Sequence, residues 1–211
     1  IDVTLGNPLK RYITSAHKKS GWDKIFSMPL YVRILKSNSF LSKIRLEFFS
    51  FIFNFFINIL NFIVNLPSNF YNQKVCEYNI QQFISKKNVE EFFSDKRLRN
   101  IIQLNKSIEF FKWRLSRPDK NYKILTLETN ENIIAYAVIC VSEISQLPVI
   151  TIIDLLCLEN KFTNCSILMK KIYFEAKIKK CSGIAIMMNK STASRYHLNL
   201  LGFFKSPFKY D

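Results

Sequence analysis

The chain has 211 residues, is 48% hydrophobic and 15% aromatic with 20 Phe, and carries a formal net charge of +15. That length and apolar content suit a core-rich globular protein and exclude a disordered or fibrous one. Only 4 Gly and 2 His occur, and none of the 5 Cys lies in a Cys-x-x-Cys pair.

These counts argue against glycine-rich phosphate loops and against a zinc centre. They favour reduced core thiols in a cytoplasmic protein, since no secretory signal opens the chain. The charge permits nucleic acid, lipid headgroups or a phosphorylated cofactor as partners. Asn, Ile and Phe are abundant as well, however, which is the bias expected where an A/T-rich gene fills surface positions with Lys. No nucleic-acid-binding motif accompanies the charge, so no nucleic-acid partner is expected.

Residues 1–35 read as strand, helix, strand. Ile1, Val3 and Leu5 alternate with polar residues, so the chain is expected to begin inside a strand, as a fragment or processed protein would. Pro8 suits the first turn of a helix carrying Leu9, Tyr12, Ile13 and Ala16 on one face, and Gly21 closes it. Trp22 leads into an extended run over Ile25–Leu35.

Phe48–Leu66 contains no charged residue. Glu47, Ser50, Asn54, Asn58, Asn61 and Asn65 recur every three or four residues, which places them in one narrow stripe of a helix. The rest of its girth is Phe, Ile, Leu and Val, and Lys36, Lys43 and Arg45 precede it. Three surroundings fit such a helix: the lobes of its own chain, a membrane interface, or a membrane span.

Residues 67–90 read as a polar connector introduced by Pro67. Asn88 and Glu91 have the form of a capping box opening a helix to about Arg99. Ser107 opens another, with Ile108, Phe111 and Leu115 on one face, ended by Pro118. Three strands follow between Tyr122 and Asp154: an apolar run from Ile124, the stretch Ile133–Val141, and Val149–Ile153. Polar turns at Thr129–Asn132 and Gln146–Pro148 separate them.

A long helix is expected over Phe162–Cys181. Cys165, Leu168, Met169, Ile172 and Ala176 form one stripe, and Ile167, Phe174 and Ile178 a second, so both sides should be covered. A strand at Ile184–Met188, a helix over Ser194–Leu201 and an extended segment after Gly202-Phe203 complete the chain. Strand, Asn, helix, Gly-aromatic, strand thus occurs twice, around Asn7 and Gly21 and around Asn189 and Gly202, and suggests an internal repeat.

The series Phe111-x-Trp113-Arg114-x-x-x-Pro118-x-x-x-Tyr122, two strands, Ile153-Asp154, a long helix, a strand and Leu201-Gly202-Phe203 resembles the second lobe of tandem acyltransferases of the GNAT superfamily. These are bacterial proteins often associated with envelope polysaccharide synthesis. Gly6-Asn7-Pro8, Ser20-Gly21-Trp22 and Pro29-x-Tyr31-Val32-Arg33 resemble the end of their first lobe.

The resemblance implies an α/β fold with a mixed, mainly antiparallel sheet flanked by helices. It divides the chain into a first-lobe remnant (1–36), the Asn-striped helix with its connector (37–87), and a second lobe (88–211). It further implies transfer from acetyl-CoA or another acyl-CoA to the amine or hydroxyl of a small-molecule or sugar acceptor. The cofactor would lie along Leu155 and Cys157, at the helix start near Lys161 and Thr163, and beside Asn189.

Two features depart from the family pattern. Leu155–Asn164 contains no glycine where a phosphate loop is expected, so a side chain stands at every position. The tyrosine that protonates the departing thiolate is replaced by Leu198, with Tyr196 two residues away and His17 in the corresponding place of the first copy.

Asp154 is the leading candidate for the general base, with Glu143 second and Tyr196 as a proton donor. Asp154 equally suits a capping role. Trp113, Arg114 and Tyr122 read as a clasp between helix and sheet, and Arg114 and Tyr122 also suit contact with an anionic acceptor. His17 and His197 read as surface-helix residues. The alternative to an enzyme is a non-catalytic packing or acceptor-recognition lobe of a larger tandem protein.

Overall fold

A computed structural model describes residues 19–20, 28–36, 50–65, 73–95, 107–144, 146–158 and 161–206. The strands are β1 (Leu30–Ile34), β2 (Lys74–Tyr78), β3 (Lys123–Thr129), β4 (Asn132–Ile144), β5 (Leu147–Cys157), β6 (Gly183–Met187) and β7 (Phe204–Lys205). The helices are α1 (Ser50–Asn65), α2 (Ile80–Ile84), α3 (Asn88–Phe93), α4 (Ile108–Leu115), α5 (Lys161–Ile178) and α6 (Lys190–Arg195). Of the strand and helix expected before residue 28, only Lys19, which is helical, and Ser20 are described; the rest, with His17, Gly21 and Trp22, lies outside the described residues. So do Lys43, Arg45, Pro67 and Arg99.

The strands form one mixed sheet in the order β2-β3-β4-β5-β6-β1-β7. Every neighbouring pair is antiparallel except β5–β6. The fold class is therefore the expected one, a mainly antiparallel α/β sheet flanked by helices. β1 enters this sheet between β6 and β7, so residues from the start of the chain complete it.

Both faces of the sheet are covered, which is why β3, β4 and β5 read as almost continuous apolar runs. On one face α5 packs Cys165, Leu168, Met169 and Ile172 against Leu125, Ala137, Ile150 and Ile184. On the other, Phe83, Phe92, Phe111 and Leu115 from α2, α3 and α4 surround Tyr136. The turn between β3 and β4 places Asn130 (φ 48°) and Glu131 (φ 65°) in the left-handed region that a two-residue hairpin requires.

Several local expectations change. Within 67–90 the chain forms β2 and α2; β2 is a half-buried edge strand paired with β3, and such a strand carries no apolar run to mark it. The capping box belongs to Asn79 and Gln82, which open α2. Asn88 makes none: its side-chain amide donates to the Glu131 carbonyl across to the β3–β4 turn (2.7 Å). Ser107 does cap α4, accepting from the Phe110 amide at 3.2 Å.

The second stripe of α5 is covered only at Ile167, while Phe174 and Ile178 are exposed. The expected clasp is not formed either: Tyr122 is buried, but Arg114 faces solvent and Trp113 is 71% exposed. Neighbours at i and i+1 on a helix face different directions, so Trp113 and Arg114 cannot both follow Phe111 into the core.

α1 is turned opposite to the usual soluble helix. Asn61, 2% exposed, faces inward, and Phe55, Phe56, Ile59, Leu60 and Phe62 are exposed. Its 16 residues span about 24 Å, less than a bilayer's hydrocarbon core. Among the described residues no helix is long and apolar enough to cross a membrane.

A polar cluster ties the β2 edge down. The Glu128 carboxylate accepts from Lys86 Nζ (2.7 Å), Thr126 Oγ1 (2.6 Å) and the Tyr78 hydroxyl (3.1 Å). Burial alone would raise its pKa, but these donors outweigh it and hold the carboxyl below its ordinary 4.5.

Because the folded value is lowered, the stabilisation is complete above the unfolded pKa and fades as pH falls through the folded one. Replacing Glu128→Gln is expected to cost about 1–3 kcal/mol of unfolding free energy near neutral pH. The difference from the parent should narrow as pH falls below the carboxylate range, read by urea denaturation across pH.

Candidate functional site

The site is built where β5 outlasts its neighbour. β5 and β6 pair in parallel from Val149↔Gly183 to Ile152↔Ile186. β6 ends at Met187, whereas β5 continues to Cys157 along β4. Among the described residues, no strand lies against the β6 side of Ile153–Cys157. α5 begins at Lys161, so its N-terminus stands at the carboxyl end of this unpaired edge.

A β-bulge precedes the open edge. Val138 pairs with Asp154 and Ile139 with Ile152, leaving Ile153 unopposed. The extra residue reverses the alternation. Ile150 and Ile152 face α5, and past the bulge it is Leu155 and Cys157 that do so. Leu156 and Leu158 pack on the opposite face, with Tyr136 and Val138.

Asp154 is thereby brought to Tyr136, whose hydroxyl donates to its Oδ2 at 2.6 Å. Burial, followed by the Asp154 charge, pushes the Tyr136 phenol well above its ordinary pKa, so it remains protonated as the donor in this bond.

Tyr196 closes the other side of the gap. It follows α6, its ring is buried, and the Cys157 amide donates to its hydroxyl oxygen at 3.3 Å. Burial is the largest cause raising its pKa, and the Asp154 carboxylate contributes in the same direction. Asp154, Cys157 and Tyr196 therefore gather at one end of β5. Leu198, at the position the family pattern gives to tyrosine, is buried in the core under α5.

The remaining candidates divide into three groups. Leu155 and Cys157 present backbone to the edge, their side chains being buried. Lys161 is the first residue of α5, and the Thr163 carbonyl accepts from the Ser166 hydroxyl (2.7 Å). Asn189 follows β6 and caps α6, its Oδ1 accepting from the Thr192 amide at 2.7 Å.

Glu143, Arg114 and Tyr122 are not gathered there. Glu143 is exposed and pairs with Pro148 near the β4–β5 turn. That is six residues along β5 from Asp154, roughly 20 Å. Tyr122 packs in the aromatic layer, and His197 is exposed in the turn after α6, edge-on to Phe162 at 5.5 Å.

Tyr136 was missed in the sequence because it sits inside an apolar strand like any core aromatic. Its hydroxyl, aimed at a carboxylate two strand-lengths away in sequence, leaves no local signal. Burial pushes the Cys165 thiol well above its ordinary pKa and raises that of Cys181, so neither is a nucleophile at neutral pH.

The residues present fit an acyl-CoA at the strand edge, where among the described residues no strand lies on the β6 side and a pantetheine arm has room to run. They fit less closely at the diphosphate end, where no glycine lowers the steric barrier to backbone approach.

No family profile and no curated protein matches the sequence. Among solved structures, a conserved protein of unknown function from Staphylococcus epidermidis is similar over 95% of this chain at 11% identity and a TM-score of 0.50. The chain spans 65% of that protein's length. AAC(6')-Iy, in complex with the bisubstrate analogue CoA-S-monomethyl-acetylneamine, is similar over 65% of this chain and 95% of its own, at 14% identity and a TM-score of 0.47. An aminoglycoside acetyltransferase from an uncultured soil metagenomic sample, in complex with trehalose, is similar over 61% of this chain and 86% of its own, at 14% identity and a TM-score of 0.40. At 11% identity what is shared with the Staphylococcus epidermidis protein is the fold alone.

Proposed function

We propose that the protein is a GNAT-like acyltransferase that moves an acyl group from acyl-CoA to the amine or hydroxyl of a small-molecule or sugar acceptor. The observation that carries this reading is the parting of β5 from β6 after Ile152 and Ile186, with a bulge and a carboxylate at the same place. The backbone of Leu155 and Cys157 on the side away from β4 would hold the pantetheine amides, with the Tyr196 hydroxyl giving way at Cys157, and Lys161 and Thr163 would lie toward the diphosphate.

When bound, acyl-CoA would supply a thioester whose carbonyl carbon would accept the incoming nitrogen or oxygen as its C–S bond breaks and the CoA thiolate leaves. Asp154 takes the proton that the acceptor loses. Tyr136 fixes the orientation of that carboxylate through the 2.6 Å hydrogen bond. Tyr196, kept protonated by burial, accepts from the Cys157 amide and can donate its own proton at the same edge.

The chain is further read as tandem in plan: a first-lobe remnant over 1–36, the α1 helix and connector over 37–87, and a second lobe over 88–211. The insertion of β1 between β6 and β7 supports this division, since an earlier segment completes a later sheet. Cys76, Cys140, Cys157, Cys165 and Cys181 form no disulfide with one another, which supports a cytoplasmic setting. A bacterial envelope precursor is the acceptor class that the sequence resemblance favours.

A second reading has its own observations in favour. The Cys157 amide is already occupied by Tyr196, and the turn into α5 has no glycine. Both suit a lobe that packs or recognises an acceptor without carrying out chemistry.

Acetyl-CoA at a hundred times its dissociation constant is expected to stabilise the protein by about 2.7 kcal/mol, visible as a rise in Tm. Absence of any shift at millimolar acetyl-CoA selects the second reading. Asp154→Asn should preserve that shift while lowering kcat by roughly 100-fold or more, measured by thiol release with an amine acceptor. An Asp154→Asn enzyme of unchanged kcat would remove Asp154 from the mechanism.

A further inference from the structure

Acyl transfer leaves the outer side of α1 and α5 unexplained. Arg33, 1% exposed, leaves β1 on the face that α5 covers. Tyr31 and Leu35, which share its alternation, pack into the α5 core. Its Nε and Nη2 both donate to Asn61 Oδ1, at 2.9 and 2.7 Å. The guanidinium also lies 5.1 Å from the centroid of the Tyr173 ring on α5. Burial lowers its pKa to about 10, which leaves it charged at neutral pH.

α1 is thus tied through Asn61 to the face that α5 covers, with Asn54 half-buried and Asn58 exposed, and its other side turns outward. On α1 that outer side is apolar, with Phe56 at 62% and Phe62 at 68% exposure beside Phe55, Ile59 and Leu60. On the last turns of α5 it carries Phe174 and Ile178, the latter 72% exposed, among Lys177, Lys179 and Lys180.

Lysines surround the anchor point. Lys177 Nζ is 4.9 Å from the centroid of the same Tyr173 ring, and Lys36 Nζ donates to the Lys180 carbonyl at 3.0 Å. Among the described residues no carboxylate pairs with any of these four lysines.

A solvated helix turns its large apolar residues inward; α1 instead buries Asn61 and leaves Phe55, Phe56, Ile59, Leu60 and Phe62 exposed alongside Asn58, and among the described residues the neighbouring lysines meet no carboxylate. We propose that this face seats on an anionic lipid surface. The phenylalanines of α1 enter the acyl boundary, and Lys36, Lys177, Lys179 and Lys180 meet headgroup phosphates.

Charge selects lipid over a second copy of the chain. A two-fold interface would press this basic face against an identical basic face in a protein already at +15. An anionic bilayer complements them, and a helix too short to span can lie in its plane.

The test is co-sedimentation of the full chain with phosphatidylcholine vesicles with and without phosphatidylglycerol. Anionic vesicles should bind at least roughly tenfold tighter at low ionic strength, and the preference should fade with added salt. Phe55→Ser with Phe62→Ser should weaken binding by roughly tenfold or more, and Lys177→Glu with Lys179→Glu by a similar factor. All four positions are exposed, so circular dichroism and Tm should match the parent.

Failure to bind anionic vesicles at low salt would overturn the proposal, as would parent-like binding by both double variants. So would a concentration-dependent dimer of the parent that the Phe55/Phe62 variant abolishes, because the face would then belong to a second copy. None of these readings depends on whether acetyl-CoA binds.

Discussion

Between Val138 and Ile139 the β4–β5 ladder gains one residue on β5, and Ile153 is left without a partner. A strand presents alternate side chains to opposite faces, so a single inserted residue exchanges the faces for everything that follows. Without it, Asp154 would point into the packed layer under α5. With it, the carboxylate reaches the Tyr136 hydroxyl, and Leu155 and Cys157 take the α5 side. The bulge also coincides with the end of the β5–β6 pairing, so one local irregularity both aims the carboxylate and opens the edge beside it.

The open edge creates a second requirement. Backbone amides that no strand pairs need other partners when buried. At Cys157 that partner is the Tyr196 hydroxyl. The same bond supports the structure of the lobe and occupies the edge that a pantetheine amide would use. Its 3.3 Å length is at the long end for an N–H···O bond, consistent with a contact that a ligand can displace.

Arg33 shows how a polar group placed deep in a fold governs the surface above it. A buried guanidinium must find acceptors, and a removed acceptor costs more than the bond contributes. Asn61 provides that acceptor from α1, so one residue of the polar stripe orients the helix although Asn58 of the same stripe is exposed. Its apolar residues then face outward as a consequence. Gly202 belongs to the same neighbourhood: its φ of 80° favours glycine, and a Cβ added there would lie 3.5 Å from Arg33 Nε.

Much of this fold was legible locally. Apolar runs bounded by polar turns marked β3, β4 and β5, a helical stripe marked α5, and Ser107 marked the start of α4, because each signal lies within one element. Edge strand β2 escaped notice because half-buried polar alternation resembles a loop.

The candidate site was legible only in part. Asp154 was visible as a charge ending an apolar strand, whereas its partner Tyr136 was indistinguishable from a core aromatic. Glu143 was equally visible and stands at the far end of the hairpin.

Composition and periodicity alone thus determined the class of fold, the Asn stripe of α1 and the glycine-free turn before α5. The tertiary structure decided which way that stripe faces, where the ladder slips, and which hydroxyl meets which carboxylate. Those outcomes depend on pairing register and on buried polar groups finding partners far along the chain, and no local pattern encodes such partners.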